Sequence, residues 1–502
     1  MIKPSIFLTA GICFCSATFS LLAEIPAIAL SAEVDAAGTG EYAVLVAPEY
    51  QKNQSAMAAI SRFAERHGAS NAVYTWDGTD ACLADLKRQQ ARYVAVVAPP
   101  QMINRVSLQT LNQISRRIDP EEDSHIDAIV GVLTANNVKN LSRLLEPFPR
   151  IELKRAVGNT FFDTELFERV FIMLDWGAPQ RYCLRENGET KQEVFKDPTK
   201  SVEFFAKHYD AINPQYFLSA SHATEFNLEM PFSHGMLFSA GGKFIVVPEK
   251  EMRRALGSSK TPPGKALAFS KDPKIWVAAG NCLIGDAYGH PDSMVVTALS
   301  NYGYRQFVGY TVPSWFGRGW DVHRNFFDGT PAMQLGQAWL FCMEKTLQNL
   351  PESLRKTPVK LRERGRDGPD IGFLARQISA AGVQPVKDLI GNLHDRDTIA
   401  FYGDPICQVA FKYKPTKVAL TGTGKMRELT VFPSSRTDKI PIQYWFVERA
   451  DVKSEIVFKR VLADGSSEEI HPEHIFTPNF VILKDDYDFG TDQALKIEWR
   501  SR

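Results

Sequence analysis

Two stretches decide the fold: residues 213–225 read NPQYFLSASHATE, and residues 273–286 read PKIWVAAGNCLIGD. Each is an apolar run of strand length that ends in one reactive side chain, His222 in the first and Cys282 in the second. In an open parallel sheet, the residues just past the carboxyl ends of the strands line the crevice in which ligands bind. If the two strands are neighbours, the sequence predicts an imidazole and a thiol at one edge of a sheet.

Strand and helix patterns alternate on both sides of these stretches. Strands are predicted at 42–47, 72–76, 93–100, 126–135, 216–221, 244–247, 275–279, 306–311 and 398–405. Helices are predicted at 55–68, 83–90, 137–146, 164–174, 202–209, 294–302 and 332–350, with a polar insertion at 182–200. This alternation predicts the α/β class, as two units with mostly parallel sheets at 41–153 and 154–412.

The last ninety residues have a different pattern. Short runs with alternating apolar residues occur at 417–422, 428–433, 442–448, 455–462, 479–484 and 494–500, separated by turn-rich pieces. This pattern predicts a small antiparallel β-sandwich over 413–502, of the size of an immunoglobulin-like domain.

Composition limits the function classes. A chain of 502 residues is too long for a single hydrophobic core. Its 58 basic and 58 acidic residues balance, and no basic block suited to nucleic acid is present. We therefore expect no nucleic-acid partner.

The first residues resemble a secretory signal. Lys3 is followed by an apolar stretch that ends in small residues near Ser31, and Glu24 and Pro26 interrupt the run, which disfavours a membrane anchor. We expect a signal peptide at 1–31, a secreted or periplasmic protein, and no integral membrane segment after signal removal.

Five cysteines remain in the predicted mature chain: Cys82, Cys183, Cys282, Cys342 and Cys407. An odd number leaves at least one thiol unpaired unless it bridges to another chain. A thiol with an ordinary pKa near 8.5 is mostly protonated at neutral pH, and a nearby imidazole can take its proton. Taken alone, however, a cysteine that ends a strand is more often a small buried apolar residue, and a histidine there is more often a turn residue.

Five sequence blocks resemble those of caspase-like cysteine peptidases, the gingipain-like branch in particular. SASHATE (219–225) and GNCLIGD (280–286) are similar to the histidine and cysteine blocks of that group. SHIDAIVGVLTANN (124–137), YGYRQFVGYTVPSWFGRGW (302–320) and IAFYGDP (399–405) resemble three further blocks, in the same order along the chain. The resemblance implies a cysteine endopeptidase in which His222 is the general base and Cys282 the nucleophile. It also implies an acyl-enzyme intermediate, a peptide or protein substrate and no cofactor in the chemistry.

The chain departs from this group directly after the histidine. Ala223 stands where such peptidases usually have a glycine whose N–H helps to bind the oxyanion. Alanine keeps the N–H but restricts φ. Backbone groups around Ala223, Gly280 and Asn281 are the predicted oxyanion support, and a peptide-binding or scaffold protein without cleavage remains the alternative.

Four further residues are candidates for the site. Glu225 either steadies the imidazole or lies as a carboxylate in the first turn of a helix. Asp286 either binds a cationic group of the substrate or turns the loop. Tyr310 and Trp315 are candidates for the wall of a substrate pocket, with core packing as the alternative for Trp315.

Other polar residues give weaker signals. His234 is expected in a loop, and His290 is expected to cap the next helix together with Asp292 or Ser293. A zinc site built from His222, His234, His290 and Cys282 is disfavoured because no compact ligand spacing supports it. The acidic residues of 116–127 suggest a solvated loop, with a carboxylate for a pocket that takes a basic residue or a structural calcium site as the alternatives; they are Asp119, Glu121, Glu122, Asp123 and Asp127.

Overall fold

The computed structural model describes residues 41–119, 123–174, 181–230, 234–256, 262–314, 317–328, 333–357, 359, 361, 368–411, 417–432, 439–490 and 493–502. The predicted signal peptide at 1–31 lies outside these residues. None of the helices in the described ranges has the length and apolar character needed to cross a membrane.

The helices and strands follow one another in three groups. The first group is β1 (Tyr42–Val46), α1 (Pro48–Gln51), α2 (Gln54–Arg66), β2 (Val73–Thr75), α3 (Leu83–Gln89), β3 (Tyr93–Val97), α4 (Arg105–Ile114), β4 (Ile129–Leu133), α5 (Val138–Leu145) and β5 (Ile151–Leu153). The second group is β6 (Arg155–Gly158), β7 (Arg169–Leu174), β8 (Arg181–Glu186), β9 (Glu189–Val194), α6 (Ser201–Ile212), β10 (Tyr216–Ser219), β11 (Asn227–Glu229), β12 (Gly235–Ala240), β13 (Lys243–Pro248), α7 (Glu249–Leu256), β14 (Lys265–Ala266), β15 (Lys274–Ala278), α8 (Met294–Asn301), β16 (Tyr304–Tyr310), α9 (Gly319–Asp328), α10 (Leu335–Gln348), α11 (Glu352–Arg355), α12 (Ile371–Ala380), α13 (Lys387–Asp395), β17 (Ile399–Gly403) and β18 (Val409–Phe411). The third group is β19 (Lys417–Thr423), β20 (Met426–Phe432), β21 (Lys439–Ile440), β22 (Gln443–Trp445), β23 (Val457–Val461), β24 (Ser467–Ile470), β25 (His474–Phe476), β26 (Phe480–Leu483), β27 (Tyr487–Asp488) and β28 (Ala494–Arg500).

The first two groups share one large, mostly parallel sheet, which confirms the predicted α/β class. In the described part of the chain the sheet has twelve strands, in the order β2-β1-β3-β4-β17-β16-β15-β10-β6-β7-β8-β9. β17 pairs antiparallel with β16 and adjoins β4 through one residue pair, Tyr402 with Val132. The predicted boundary at 153/154 therefore separates four strands from eight within one continuous sheet.

The central strands are buried along their whole length. β1, β3, β4, β15 and β17 have no exposed residue. Strands of this kind read as continuous apolar runs, because helices cover both faces of a parallel sheet. Continuous burial is also why these strands give the clearest signals in the sequence.

One predicted helix is wrong. The apolar spacing of 164–174 predicts a helix, but Arg169–Leu174 forms β7, which pairs parallel with β6 and antiparallel with β8. Its sequence, RVFIML, is rich in β-branched and aromatic residues, and its four central residues are buried. Pairing on both sides therefore outweighs the helical spacing of the apolar residues.

The polar insertion at 182–200 also contains sheet structure. β8 and β9 form an antiparallel hairpin at the end of the main sheet. Its turn is Asn187-Gly188, and both residues have positive φ, 53° and 84°. Asn-Gly is the sequence typical of a two-residue hairpin turn, so the sequence does carry a signal for this element.

A second, smaller sheet branches from the main one. The predicted strand at 244–247 is part of β13, which belongs to an antiparallel sheet with the order β11-β12-β13-β14. This sheet begins directly after the histidine stretch, so the chain leaves the main sheet after Ser219 and His222 lies between the two sheets.

The third group forms small antiparallel sheets. One has the order β19-β20-β28-β23-β24 and another the order β22-β26-β25. Residues of both contribute to one apolar core, among them Leu429, Phe458, Val481 and Trp499. The antiparallel character predicted for these residues is confirmed.

This unit packs on the amino end of β3 through buried polar contacts. Arg92, which precedes β3, donates to the C=O of Phe446 at 2.5 Å and pairs with Glu41 at 3.0 Å. Trp445 Nε1 donates to the Tyr93 hydroxyl at 2.7 Å. We refer to these contacts as the seam.

Candidate active site

The two stretches that carry His222 and Cys282 are neighbouring strands. β10 and β15 pair in parallel, with Ser219 opposite Ala278. His222 and Cys282 follow these last paired residues by three and four positions. The carboxyl ends of parallel strands lie at the same edge of a sheet, so both loops leave the sheet at one edge, as predicted.

The side chain of Asn281 links the two loops. Its Nδ2 donates to the C=O of Ser221 at 2.7 Å and lies 3.3 Å from the Ser221 Oγ. Its Oδ1 accepts from the Ser219 Oγ at 2.5 Å, and that hydroxyl accepts from Trp276 Nε1 at 2.8 Å. Asn281 has no exposed surface. The residue before the cysteine is thus held to the residue before the histidine.

A second buried amide supports the histidine loop from the other side. Asn159, which follows β6, accepts at Oδ1 from the N–H of Ala220 at 2.8 Å and donates from Nδ2 to the Ser221 Oγ at 3.0 Å. The Ser221 hydroxyl donates in turn to the C=O of Glu229 at 2.7 Å. Three adjacent strand ends therefore share one hydrogen-bonded network.

The Cys282 thiol is partly exposed, whereas the other four cysteines of the described residues are buried, and all five are unpaired. The N–H of Ser314 lies 3.3 Å from Cys282 Sγ, and the Ser314 Oγ lies 3.6 Å from it. The loop after β16 therefore contacts the sulfur through both the backbone and the side chain of Ser314.

A tight turn follows the thiol. The N–H of Ile284 donates to the C=O of Cys282 at 2.7 Å, and the residue between them, Leu283, has a φ of 61°. A branched residue in this region of φ costs about 1–3 kcal/mol, and such strain concentrates at functional sites. Two residues later the loop packs so closely on β16 that a Cβ at Gly285 would lie 2.3 Å from the C=O oxygen of Gly309.

The histidine lies at the surface, on a narrow two-stranded turn. His222 is exposed, and its C=O accepts from the N–H of Glu229 at 2.8 Å. Ala223 is buried and faces Leu228 in an isolated antiparallel bridge. The hydrogen bonds of this bridge come from the N–H groups of Thr224 and Glu229, so the pairing does not use the Ala223 N–H.

A buried ion cluster lies beneath both loops. Arg105, the first residue of α4, contacts Asp286 with Nε at 3.1 Å and Glu225 with Nη2 at 3.5 Å. Asp286 Oδ1 also accepts from the N–H of Tyr288 at 2.8 Å. Burial raises the pKa of Asp286 to about 7, while the positive charge of Arg105 acts in the opposite direction.

Two of the predicted site residues, Asp286 and Glu225, belong to this ion cluster. Asp286 has no exposed surface, so its carboxylate faces Arg105 and not the solvent. Glu225 lies in a bend between Ala223 and β11, so the alternative of a helical first turn is wrong.

The remaining predicted site residues have separate surroundings. Tyr310 is buried, and its hydroxyl donates to Asp395 at 3.2 Å and accepts from the N–H of Gly319 at 2.9 Å. Trp315 lies outside the described residues. A Cβ at Gly280 would lie 3.2 Å from the Ala220 Cβ, so the two loops approach closely here.

The other histidines lie apart from this network. His234 Nδ1 pairs with Glu249 at 2.6 Å. Ser293 caps α8 by accepting from the N–H of Val296, and His290 Nδ1 accepts from the N–H of Asp292. Within the described ranges, no group of three or more histidine, cysteine, aspartate or glutamate side chains is arranged to hold a metal ion.

The acidic segment at 116–127 is partly described. Asp119 pairs with Arg449 at 2.9 Å, and Asp127 accepts from the N–H groups of Ile118 and Asp119. Burial raises the pKa of Asp127 well above its usual range. Glu121 and Glu122 lie outside the described residues.

Sequence reasoning missed Asn159, Arg105 and Ser314. Asn159 follows a strand that was predicted as part of no element, and Ser314 directly precedes the candidate Trp315 without any local signal of its own. Arg105 is 181 positions from Asp286, and nothing in the local sequence of either residue indicates the other.

Comparison with known proteins yields little. No protein-family model matches the chain, and no curated protein matches it. A solved chain described as "Structure of Protease" aligns with 92% of this chain and 95% of its own length, at 10% sequence identity and a TM-score of 0.33. A likeness at this level does not establish a shared activity, so any assignment of function rests on the geometry of the site.

Proposed function

We propose that the chain is an exported cysteine endopeptidase, caspase-like and of the gingipain-like branch. The thiolate of Cys282 attacks the scissile carbonyl after His222 has taken its proton, and the C–N bond breaks as His222 returns that proton to the leaving amine. Water then hydrolyses the thioester. The observation that supports this proposal most strongly is the Asn281 amide, which holds the chain just before His222 to the chain just before Cys282.

The backbone around both residues supplies donors for the oxyanion in this proposal. The Ala223 N–H is not used by the bridge to Leu228. Gly280 and Asn281 follow β15, which ends at the same edge of the sheet as β10. Fixed N–H donors at this position stabilise the negative charge that develops on the carbonyl oxygen. The proposed chemistry uses no metal and no organic cofactor.

The proposal also assigns a role to the main sheet, to the small antiparallel sheets and to residues 1–31. The two parts of the main sheet correspond to the two caspase-like units, and the small antiparallel sheets after β18 correspond to an immunoglobulin-like sandwich that serves stability or attachment. Residues 1–31 direct export, so the peptidase acts on peptides or proteins outside the cytoplasm.

The test measures thiol reactivity before any substrate is known. We expect Cys282 to react rapidly with iodoacetamide at pH 6, and we expect this reaction to be lost in His222→Ala. Labelled unfolded casein should be cleaved by the native protein and left intact by Cys282→Ala. His234→Ala is the matched control, since it removes an imidazole that pairs with Glu249 instead.

A peptide-binding protein without cleavage is the second candidate, and one observation favours it. Ala223 replaces the glycine of the group that the chain resembles. In that case iodoacetamide labelling would rise only near pH 8.5 in both native protein and His222→Ala. Casein peptides would then bind equally well to Cys282→Ala and the native protein, without being cut.

A further inference from the structure

The ion cluster joins three parts of the chain that are far apart in sequence. Arg105 begins α4, Glu225 lies three residues after His222, and Asp286 lies four residues after Cys282. All three residues are buried. One guanidinium thus contacts a carboxylate from the loop of the candidate base and a carboxylate from the loop of the candidate nucleophile.

Two backbone hydrogen bonds nearby each involve only one of the two loops. The N–H of Gly289 donates to the C=O of Ile103 at 2.9 Å, which ties the cysteine loop to the segment before α4. The N–H of Met294 donates to the C=O of Glu225 at 2.7 Å, which ties the histidine loop to α8. Each bond fixes one loop, whereas Arg105 reaches both.

The charges make Arg105 hard to replace. A buried carboxylate that loses its counter-charge is strongly unfavourable, and here two carboxylates share one cation. The planar guanidinium presents several donors in a fixed fork, whereas a lysine ammonium is a compact point charge at the end of a flexible chain. Lysine would keep the charge but would not hold both carboxylates at once.

We propose that Arg105 is a positioning residue that acts through Glu225 and Asp286 to hold the His222 loop and the Cys282 loop in register. The inference rests on the proposed peptidase function, in which proton transfer requires the imidazole and the thiol to keep a fixed separation. Displacement of a reacting group by about 1 Å lowers rates by about 100-fold.

The experiment compares Arg105→Lys with Arg92→Lys, a matched change at a buried arginine of the seam. Arg105→Lys is expected to lower the iodoacetamide rate at pH 6 about 10-fold with little change at pH 9. It should also lower kcat on casein about 10- to 100-fold with KM nearly unchanged. Amide hydrogen exchange should rise in both 220–229 and 281–289. Arg92→Lys should lower the unfolding temperature. The iodoacetamide rate at pH 6, the kcat on casein and the hydrogen exchange of both loops should stay unchanged.

A wild-type pH 6 rate and a wild-type kcat in Arg105→Lys overturn the proposal, whatever happens to the unfolding temperature. If Arg105→Lys does not fold, Glu225→Gln and Asp286→Asn each replace one carboxyl group of the cluster with an amide while Arg105 stays in place. Both should lower kcat, and an unchanged kcat in both overturns the proposal.

The outcome separates this proposal from the proposed function. If the native protein neither reacts rapidly at pH 6 nor cleaves casein, the peptidase assignment fails. Hydrogen exchange then decides on Arg105 alone: a rise in both loops supports its coupling role, and unchanged exchange overturns that role as well.

Discussion

Two buried arginines, one directly before β3 and one at the start of α4, have different partners. Arg92, before the strand, donates to the backbone C=O groups of Phe446 and Val447, and its guanidinium carbon lies 4.6 Å from the centre of the Trp445 ring. Arg105, after the strand, faces two side-chain carboxylates on loops. The carbonyls at Arg92 belong to the backbone of the two residues that follow β22, whereas the carboxylates at Arg105 end side chains, which can take their positions partly from the arginine itself. We therefore expect Arg92 to contribute mainly to the stability of the fold and Arg105 mainly to the reactivity of Cys282.

The largest expected effect is at the seam. Arg92→Met takes this donor from the C=O groups of Phe446 and Val447, and it removes one of the two arginines that face Glu41, while Arg449 remains. The free energy of unfolding should therefore fall by about 4 kcal/mol. Urea unfolding measures this change, and kcat on casein measured well below the unfolding transition should be unchanged. A tenfold fall in kcat would show that the seam and the site are coupled, which would break the comparison.

A substitution at the candidate site should lower kcat strongly and the free energy of unfolding only a little. Asn281→Leu removes the amide that holds Ser221, so kcat should fall about 100-fold while stability changes less than in Arg92→Met. The matched control is Asn112→Leu, because Asn112 is also buried and donates to two carbonyls, those of Asp397 and Ile399. Equal losses of kcat in both variants would mean that removing any buried amide lowers activity. Asn281 would then have no special role.

The pH dependence of stability sharpens the comparison further. The pKa of Asp286 is about 7 in the folded protein and near 4 when unfolded, so the folded state binds this proton more tightly. Its contribution to stability is fully present below pH 4 and is lost as pH rises to about 7. Between pH 5.5 and pH 7 the native protein should lose about 2 kcal/mol relative to Asp286→Asn, measured by urea unfolding at both values. Parallel pH profiles would contradict this.

The smallest effect concerns one hydrogen bond of the seam. Trp445→Phe removes the donor to the Tyr93 hydroxyl, and the free energy of unfolding should fall by about 1 kcal/mol. The iodoacetamide rate of Cys282 should not change. If that rate does change, the seam does more than hold two units together.

Local patterns in the sequence are enough to locate most of the strands and the two loops. Buried strands such as β1 and β3 are continuous apolar runs, and two further apolar runs lead to the loops of His222 and Cys282. That β10 and β15 are neighbours was only a condition of the prediction, because pairing is decided by the whole sheet. The error at β7 has the same origin, since its apolar spacing suits a helix until neighbouring strands are present.

The supporting residues of the site are beyond local reasoning. Asn281 was predicted as an oxyanion support, but its partners Ser219 and Ser221 belong to another strand and its loop. The contact of Arg105 with Asp286 spans 181 positions of sequence. Burial, which turns Asp286 away from any substrate, is likewise a property of the folded chain. Long-range contacts therefore account for most of what the sequence did not reveal.

The hairpin of β8 and β9 has a practical consequence. Every side chain of β9 is exposed, and the strand ends the sheet with alternating charges at Glu189, Lys191 and Glu193. Such charges discourage a strand of another molecule from pairing at an open edge, which protects the protein from aggregation. Lengthening the Asn187-Gly188 turn costs only about 0.6 kcal/mol for each doubling of the loop. An affinity tag or a fluorescent reporter inserted there should leave both the seam and the sheet edge that carries His222 and Cys282 undisturbed.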